Sequence, residues 1–160
     1  MKIKEINQQE YNLRILILMK LFSSDINKCK EFYQIYQKYK KINFYFLVSL
    51  IFQESRFNPR AISTANARGL GQIMFETAKF YGVKHRWQLF DWKLNLHVTL
   101  KHLIYLKDKW KDYDLVMIGY NAGESRILRY RKFGFKILPT ETKLYVVKIN
   151  KLWRHFRSIA

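Results

Sequence analysis

The stretch FQESRFNPRAISTANARGLGQIMFETA, residues 52 to 78, holds one acid, Glu54, at the end of an apolar segment and just ahead of a loop of small and polar residues. At such a place burial disfavours the charged carboxylate, and so does the negative end of a helix dipole. Both raise the pKa, which lets a carboxylic acid hand over a proton near neutral pH. General acid catalysis is therefore the chemistry this residue could do. Position alone also fits a surface glutamate at a helix end, paired with Arg56.

No second acid stands in an equivalent setting. Glu76, Asp91 and Glu124 read as surface or capping residues. His85, His97, His102 and His155 show no metal-ligand spacing and read as surface or internally satisfied side chains, so neither a metal nor a cofactor is expected. Cys29, the single cysteine, has no internal partner and lies in a Lys-rich helical segment, which marks it as an inert thiol. This does not exclude an oxidising compartment.

These side chains need a scaffold, and the apolar periodicity is helical nearly throughout. A first helix spans about 8 to 22, with Leu13, Leu16, Ile17 and Leu21 on its packed face. Ser24 or Asp25 caps a second through about 40, with Phe32, Ile35, Tyr36 and Tyr39 in one stripe. Asn43 caps the third, which is apolar nearly all round from Phe44 to Phe52 and so should be the buried central helix. It must stop by Asn58-Pro59, because a residue before proline is pushed out of the helical region. Residues 60 to 69 read as loop, and a helix over about 70 to 81 ends at Gly82. A long helix over about 93 to 110 follows, carrying Leu96, Leu100, Leu103 and Trp110. A short one is capped near Asp114 and closed by Gly123, and the last runs from Thr140 almost to the C-terminus. The expectation is one compact all-α domain of about seven or eight helices, with residues 1–42 as N-terminal helices packed on a part spanning 43–160.

The beginning of the chain has two readings. Two early lysines, the apolar NLRILILMKLFSS and small residues near 24 hint at an export signal. Against it, Arg14 and Lys20 bracket an apolar run of five residues, Ile15 to Met19, short of the usual seven to fifteen or so. A packed helix is the favoured reading. No run approaches the ~18 apolar residues of a transmembrane helix.

Residues 52 to 78 closely resemble the catalytic signature of the SLT-type lytic transglycosylases, relatives of goose-type lysozyme. That signature has the form E-S-x-F/W-N-P-x-A-x-S followed by G-A-x-G-L-M-Q-x-M-P-x-T-A. Here Glu54-Ser55-Arg56-Phe57-Asn58-Pro59 is followed by Ala61 and Ser63, then by Arg68-Gly69-Leu70-Gly71-Gln72-Ile73-Met74, and then by Glu76-Thr77-Ala78. Asn95-Leu96 and Tyr105-Leu106 are similar to the family's next helix. Tyr120-Asn121-Ala122-Gly123 matches its Y-N-A-G motif, and Leu138 to Val146 is similar to its P-x-E-T-x-x-Y-V segment. The resemblance covers roughly residues 43 to 150. Departures are few: Asn66 replaces a usual glycine, Gly71 stands where Met is commoner and Phe75 where Pro is, and Thr99 and Leu100 occupy a stretch where a small glycine turn of helix is frequent. They bear on the lining of the groove more than on the chemistry.

The resemblance implies a lysozyme-like all-α fold with a substrate groove, and a peptidoglycan lytic transglycosylase. Glu54 would act first as acid on the bond between N-acetylmuramic acid and N-acetylglucosamine, then as base on the muramyl C6 hydroxyl, leaving a 1,6-anhydro end. Ordinary glycosidases need two carboxylates; this reaction needs one. By motif position Tyr120 would hydrogen-bond and orient Glu54, Ser63 would position the N-acetyl side, and Gln72 and Met74 would line the groove. Asn121 would brace the Tyr120 turn, and Tyr145 reads equally as groove wall or core. The main alternative is a hydrolytic muramidase, with Glu76 or Asp91 as base. The other is a non-catalytic wall-binding or nucleic-acid-binding module.

The formal charge of +18, from 30 basic and 12 acidic residues, favours anionic partners: nucleic acid, an acidic lipid surface or acidic wall polymer. A lysine-rich compositional bias that leaves a solvated surface would look the same. The basic residues form no block of five or six, so no nucleic-acid tail is visible and no nucleic-acid partner is expected. The expected partners are peptidoglycan glycan strands and, beyond them, cell-envelope protein machinery. The chain is expected to be a monomer in the periplasm or cell envelope, a location inferred from the substrate.

Overall fold

The computed structural model describes residues 7–160, and these form eight α-helices and two 3-10 turns. The α-helices are α1 (Gln8–Leu21), α2 (Ile26–Gln37), α3 (Phe44–Ser55), α4 (Phe75–Lys79), α5 (Trp92–Trp110), α6 (Tyr113–Ala122), α7 (Glu124–Phe133) and α8 (Thr140–Ser158). Five of them start where a short polar side chain takes up a free amide of the first turn. Asn7, Asp25, Asn43, Asp91 and Asp112 accept from the amides of Glu10, Asn27, Phe46, Lys93 and Asp114. The cap of α6 is thus Asp112, and Asp114 lies inside the first turn.

The central helix is α3: Phe44 through Ile51 are all buried, and its main neighbour is α8. Residues from α1, α2, α5, α6 and α8, and Ile127 of α7, share one continuous apolar core with it. A smaller cluster of Ile73, Ala78, Val83, Leu89 and Val98 underlies the segment from 73 to 98, and Tyr120 packs against both clusters.

Four expectations are corrected. On α1, Ile17 is buried and Leu13 and Leu21 pack against the core as expected, but Leu16 is 60% exposed, and Arg14, Ile15 and Leu18 are buried as well. The buried Arg14 guanidinium lies over the rings of Phe44 and Tyr45, 5.0 and 5.4 Å from their centroids, and is paired with Glu10. The second helix ends at Gln37. The helix expected over 70–81 shrinks to Phe75–Lys79, because Gly69 and Gln72 adopt positive φ (76° and 50°) and cannot continue a right-handed helix. Residues 62, 68 and 73 pair instead as isolated antiparallel bridges. Finally, α7 was not expected at all. It buries only Ile127, so its apolar period is too weak to read.

Candidate active site

Glu54 sits in the last turn of α3, half-buried. The chain then leaves the helix through two residues in the left-handed region, Arg56 (φ 50°) and Phe57 (φ 61°). Non-glycine residues there carry strain of order 1 kcal/mol or more. Burial of Phe57 offsets it: its ring packs 6.0 Å from Phe22 and 6.1 Å from Phe32. Arg56 stacks over Phe52 and makes no ion pair with Glu54, so the surface-pair reading does not hold.

Burial pushes the Glu54 carboxyl up from 4.5 to about 7. The Tyr145 hydroxyl pulls the other way by donating a hydrogen bond to Glu54 Oε1 at 2.5 Å, and Glu141 adds like-charge repulsion. Tyr145 is itself buried beside this carboxyl group, which holds its phenol well above the usual range and keeps it a donor. Tyr145 is thus the hydroxyl that orients Glu54.

The hydrogen bond expected from Tyr120 to Glu54 is not made. Tyr120 is close enough for the Glu54 charge to raise its pKa, yet its hydroxyl donates to the Gly71 carbonyl at 2.6 Å. Glu54 Oε1 is taken by Tyr145, and the Gly71 backbone comes close because residue 71 has no side chain. An added Cβ there would meet Thr99 Oγ1 at 2.0 Å and the Tyr120 hydroxyl at 2.8 Å. The two sequence departures at 71 and 99 are therefore in contact: the larger residue on α5 fills the space that the smaller one on the loop leaves.

The loop from 60 to 74 is held by bonds within it and by side chains outside it, Tyr120 among them. The Ser55 hydroxyl donates to the Leu70 carbonyl at 2.7 Å, joining the loop to the end of α3. Asn95, wholly buried on α5, donates to the carbonyls of Arg68 and Leu89 and accepts from the Gly71 amide, all at 2.8 to 2.9 Å. This staple was missed by reasoning from the sequence, though an asparagine in an apolar helical stripe is a signal that could have found it. Gln72 turns inward: its amide donates to the carbonyls of Ala61 and Gly69 at 3.1 and 3.0 Å. Ser63 accepts from the Ala67 amide at 3.0 Å. Met74 is 42% exposed, so it is not core filling. Asn121 is half-buried, and among the described residues its side chain makes no hydrogen bond, so it does not brace the turn that way. The structure brings Glu54, Tyr145, Tyr120, Gly71 and Thr99 together; Ser63 and Gln72 are engaged in the loop beside them.

The other acids are occupied elsewhere. Glu76 is exposed and paired with Lys79, and Asp91 caps α5. Glu124 accepts from Tyr105, Trp110 and Lys109. Beyond Tyr120, whose ring lies 5.5 Å from that of His102, an open cleft of about 400 Å³ is lined by Thr77, Phe80, Tyr81, His102, Tyr105 and Glu124. Burial lowers His102 to about 4, so it is neutral at physiological pH, bonded through Nδ1 to the Tyr81 hydroxyl at 2.9 Å. No cluster of three or more His, Cys, Asp or Glu is present among the described residues.

This chain is 32% identical over 121 residues to membrane-bound lytic murein transglycosylase D of Escherichia coli K12, covering 66% of this chain and 26% of that one. It is 32% identical over 108 residues to a putative soluble lytic murein transglycosylase of Haemophilus influenzae, covering 63% and 18%. The chain thus spans about a quarter or less of the length of these relatives. The crystal structure of the 70 kDa soluble lytic transglycosylase of Escherichia coli superposes with a TM-score of 0.70 at 23% identity, over 79% of this chain and 24% of that one. An inactive glutamate-to-glutamine mutant of the lytic transglycosylase Slt of Pseudomonas aeruginosa gives 0.68 at 20% identity, over 78% and 23%. These structures share the all-α fold. The family model described as the transglycosylase SLT domain matches residues 31–135, from within α2 to the turn after α7, and the chain belongs to that family.

Proposed function

We propose that this chain is a peptidoglycan lytic transglycosylase that cleaves between N-acetylmuramic acid and N-acetylglucosamine and leaves 1,6-anhydro ends. The observation that carries the reading is a single carboxyl group, Glu54, with its pKa raised to about 7 and one oxygen held by Tyr145. Family membership and the names of the relatives support it.

Protonated Glu54 donates to the glycosidic oxygen as the bond to the muramyl C1 breaks. The substrate's own N-acetyl oxygen stabilises the cationic centre. Glu54, now a carboxylate, takes the proton from the C6 hydroxyl of the same sugar, whose oxygen closes on C1. One C–O bond breaks, another forms, and no water enters. Effective molarities of ~10⁵ M or more in well-oriented intramolecular reactions favour this over attack by water. Tyr145 fixes the acid, and its hydrogen bond strengthens as the carboxylate forms. Tyr120 and the Asn95 staple hold the loop of Ser63, Gln72 and Met74 against the cleavage point, where exposed Met74 meets sugar. The aromatic cleft beyond Tyr120 takes a neighbouring saccharide. On this reading the enzyme works on glycan strands in the periplasm or cell envelope, alone or with envelope machinery.

The hydrolytic reading has one observation in its favour. Glu141, in the first turn of α8, is the acid whose charge reaches Glu54, and it would have to serve as base. Mass spectrometry of soluble fragments from purified peptidoglycan decides between them. Wild type should release muropeptides one water lighter than hydrolysis products, and Glu54→Gln should release none. Reducing-end products lost in Glu141→Gln would make the enzyme a lysozyme instead.

A further inference from the structure

The C-terminal segment carries a surface that catalysis leaves unused. Between residues 125 and 160 there are ten Lys and Arg and one acid, Glu141, which is half of the net charge in less than a quarter of the chain. All ion pairs of the described residues lie between positions 10 and 124, so these ten cations have no salt-bridge partner there. The same segment exposes large apolar side chains: Leu128 at 60%, Phe133 at 57%, Phe135 at 44%, Leu144 at 51% and Val147 at 54%. Opposite buried Ile127, α7 places Leu128, Arg129, Lys132 and Phe133 on one outward face. On α8, Leu144, Val147, Lys148 and Lys151 follow the same helical spacing and are all exposed. The 3-10 turn Phe135–Ile137 follows α7 and is tied to the start of α8: Lys143 Nζ donates to the Lys136 carbonyl at 2.9 Å and lies 5.9 Å from the Phe135 ring centroid.

We infer that the outward faces of α7 and α8 form a docking surface for anionic lipid headgroups. A polyanion such as nucleic acid or acidic wall polymer would be served by the charges alone. Compositional bias toward lysine accounts for the charges as well, but neither explains two phenylalanines and three aliphatic side chains left in water between them. At a bilayer boundary both classes are used: cations meet headgroup phosphates while the apolar tips enter the acyl boundary. No helix of the described residues is long and apolar enough to cross a membrane, so contact by these faces would be peripheral. Tyr145 is buried on the inner side of the same helix α8.

Co-sedimentation with lipid vesicles tests this independently of any lyase activity. The full chain is mixed with vesicles of phosphatidylcholine, or of phosphatidylcholine containing about one-third phosphatidylglycerol. The expected result is binding to the second and not the first. It should weaken by about tenfold or more in Arg129→Glu/Lys132→Glu and, separately, in Phe133→Ser/Phe135→Ser, with melting temperatures of both variants close to wild type. If the phenylalanine variant binds as well as wild type while the charge variant does not, the surface is a polyanion site and the lipid assignment fails. It fails equally if neither vesicle sediments the protein.

Discussion

The proton that Glu54 is to donate is held by opposing neighbours. Burial and the Glu141 charge raise the pKa, and the Tyr145 hydroxyl lowers it, leaving about 7. A general acid works only while protonated, so the rate of fragment release should fall as pH rises through about 7. The two neighbours can be separated by mutation. Glu141→Gln removes a like charge and should move that limb to lower pH. Tyr145→Phe removes a bond that favours the carboxylate; it should move the limb to higher pH and lower the rate by roughly 10- to 100-fold through lost orientation. Opposite shifts in the two pH–rate profiles are the expected outcome. Equal profiles would mean that the limb belongs to another group.

At the scale of elements, the site depends on how closely the loop before α4 approaches α5. Asn95 and Thr99, one turn apart on α5, grip that loop by hydrogen bonds and by shape. Gly71→Met alone drives a side chain into Thr99 and the Tyr120 hydroxyl, and overpacking of this kind destabilises by roughly 1–3 kcal/mol. Thr99→Gly alone opens a void and places glycine inside a helix, at about 1 kcal/mol or more. Because each residue occupies the space the other gives up, the double variant should recover much of the loss, with a coupling of roughly 0.5–3 kcal/mol in denaturant unfolding. Simple additivity would show that the contact is incidental. At the same scale, α7 is a mostly polar helix attached through α6 and the turn that follows it, and its exposed face contributes little to the core.

For the whole molecule, the buried acid has a stability consequence whose sign follows from the shift. The folded pKa of Glu54 lies above the unfolded value, so its protonated form is the one the fold favours. Its contribution is fully present below about pH 4.5 and is lost as pH rises through about 7. Glu54→Gln, which stays neutral, should match wild type near pH 4 and exceed it at pH 8, by on the order of 3 kcal/mol. Thermal melts at the two pH values measure this, and an equal difference at both would refute the burial argument. The folded molecule itself was largely legible beforehand. Most caps, the all-round apolar α3 and the position of Glu54 at its end are local properties: side chains acting on amides two or three residues away, or apolar residues recurring each turn. Long-range choices were not legible. Helical spacing could not tell that Arg14 would be buried over aromatic rings and Leu16 left in water, because that depends on which face α3 presents. It also gave no sign of α7, which buries one residue. The sequence by itself determined that one carboxyl group would stand alone at the end of a buried helix. Only the tertiary structure decided that the hydroxyl on it comes from Tyr145, 91 residues away, and that Tyr120 is drawn to Gly71. The packing of α8 on α3 and the missing side chain at position 71 set those distances, and neither is a property of any local stretch of chain.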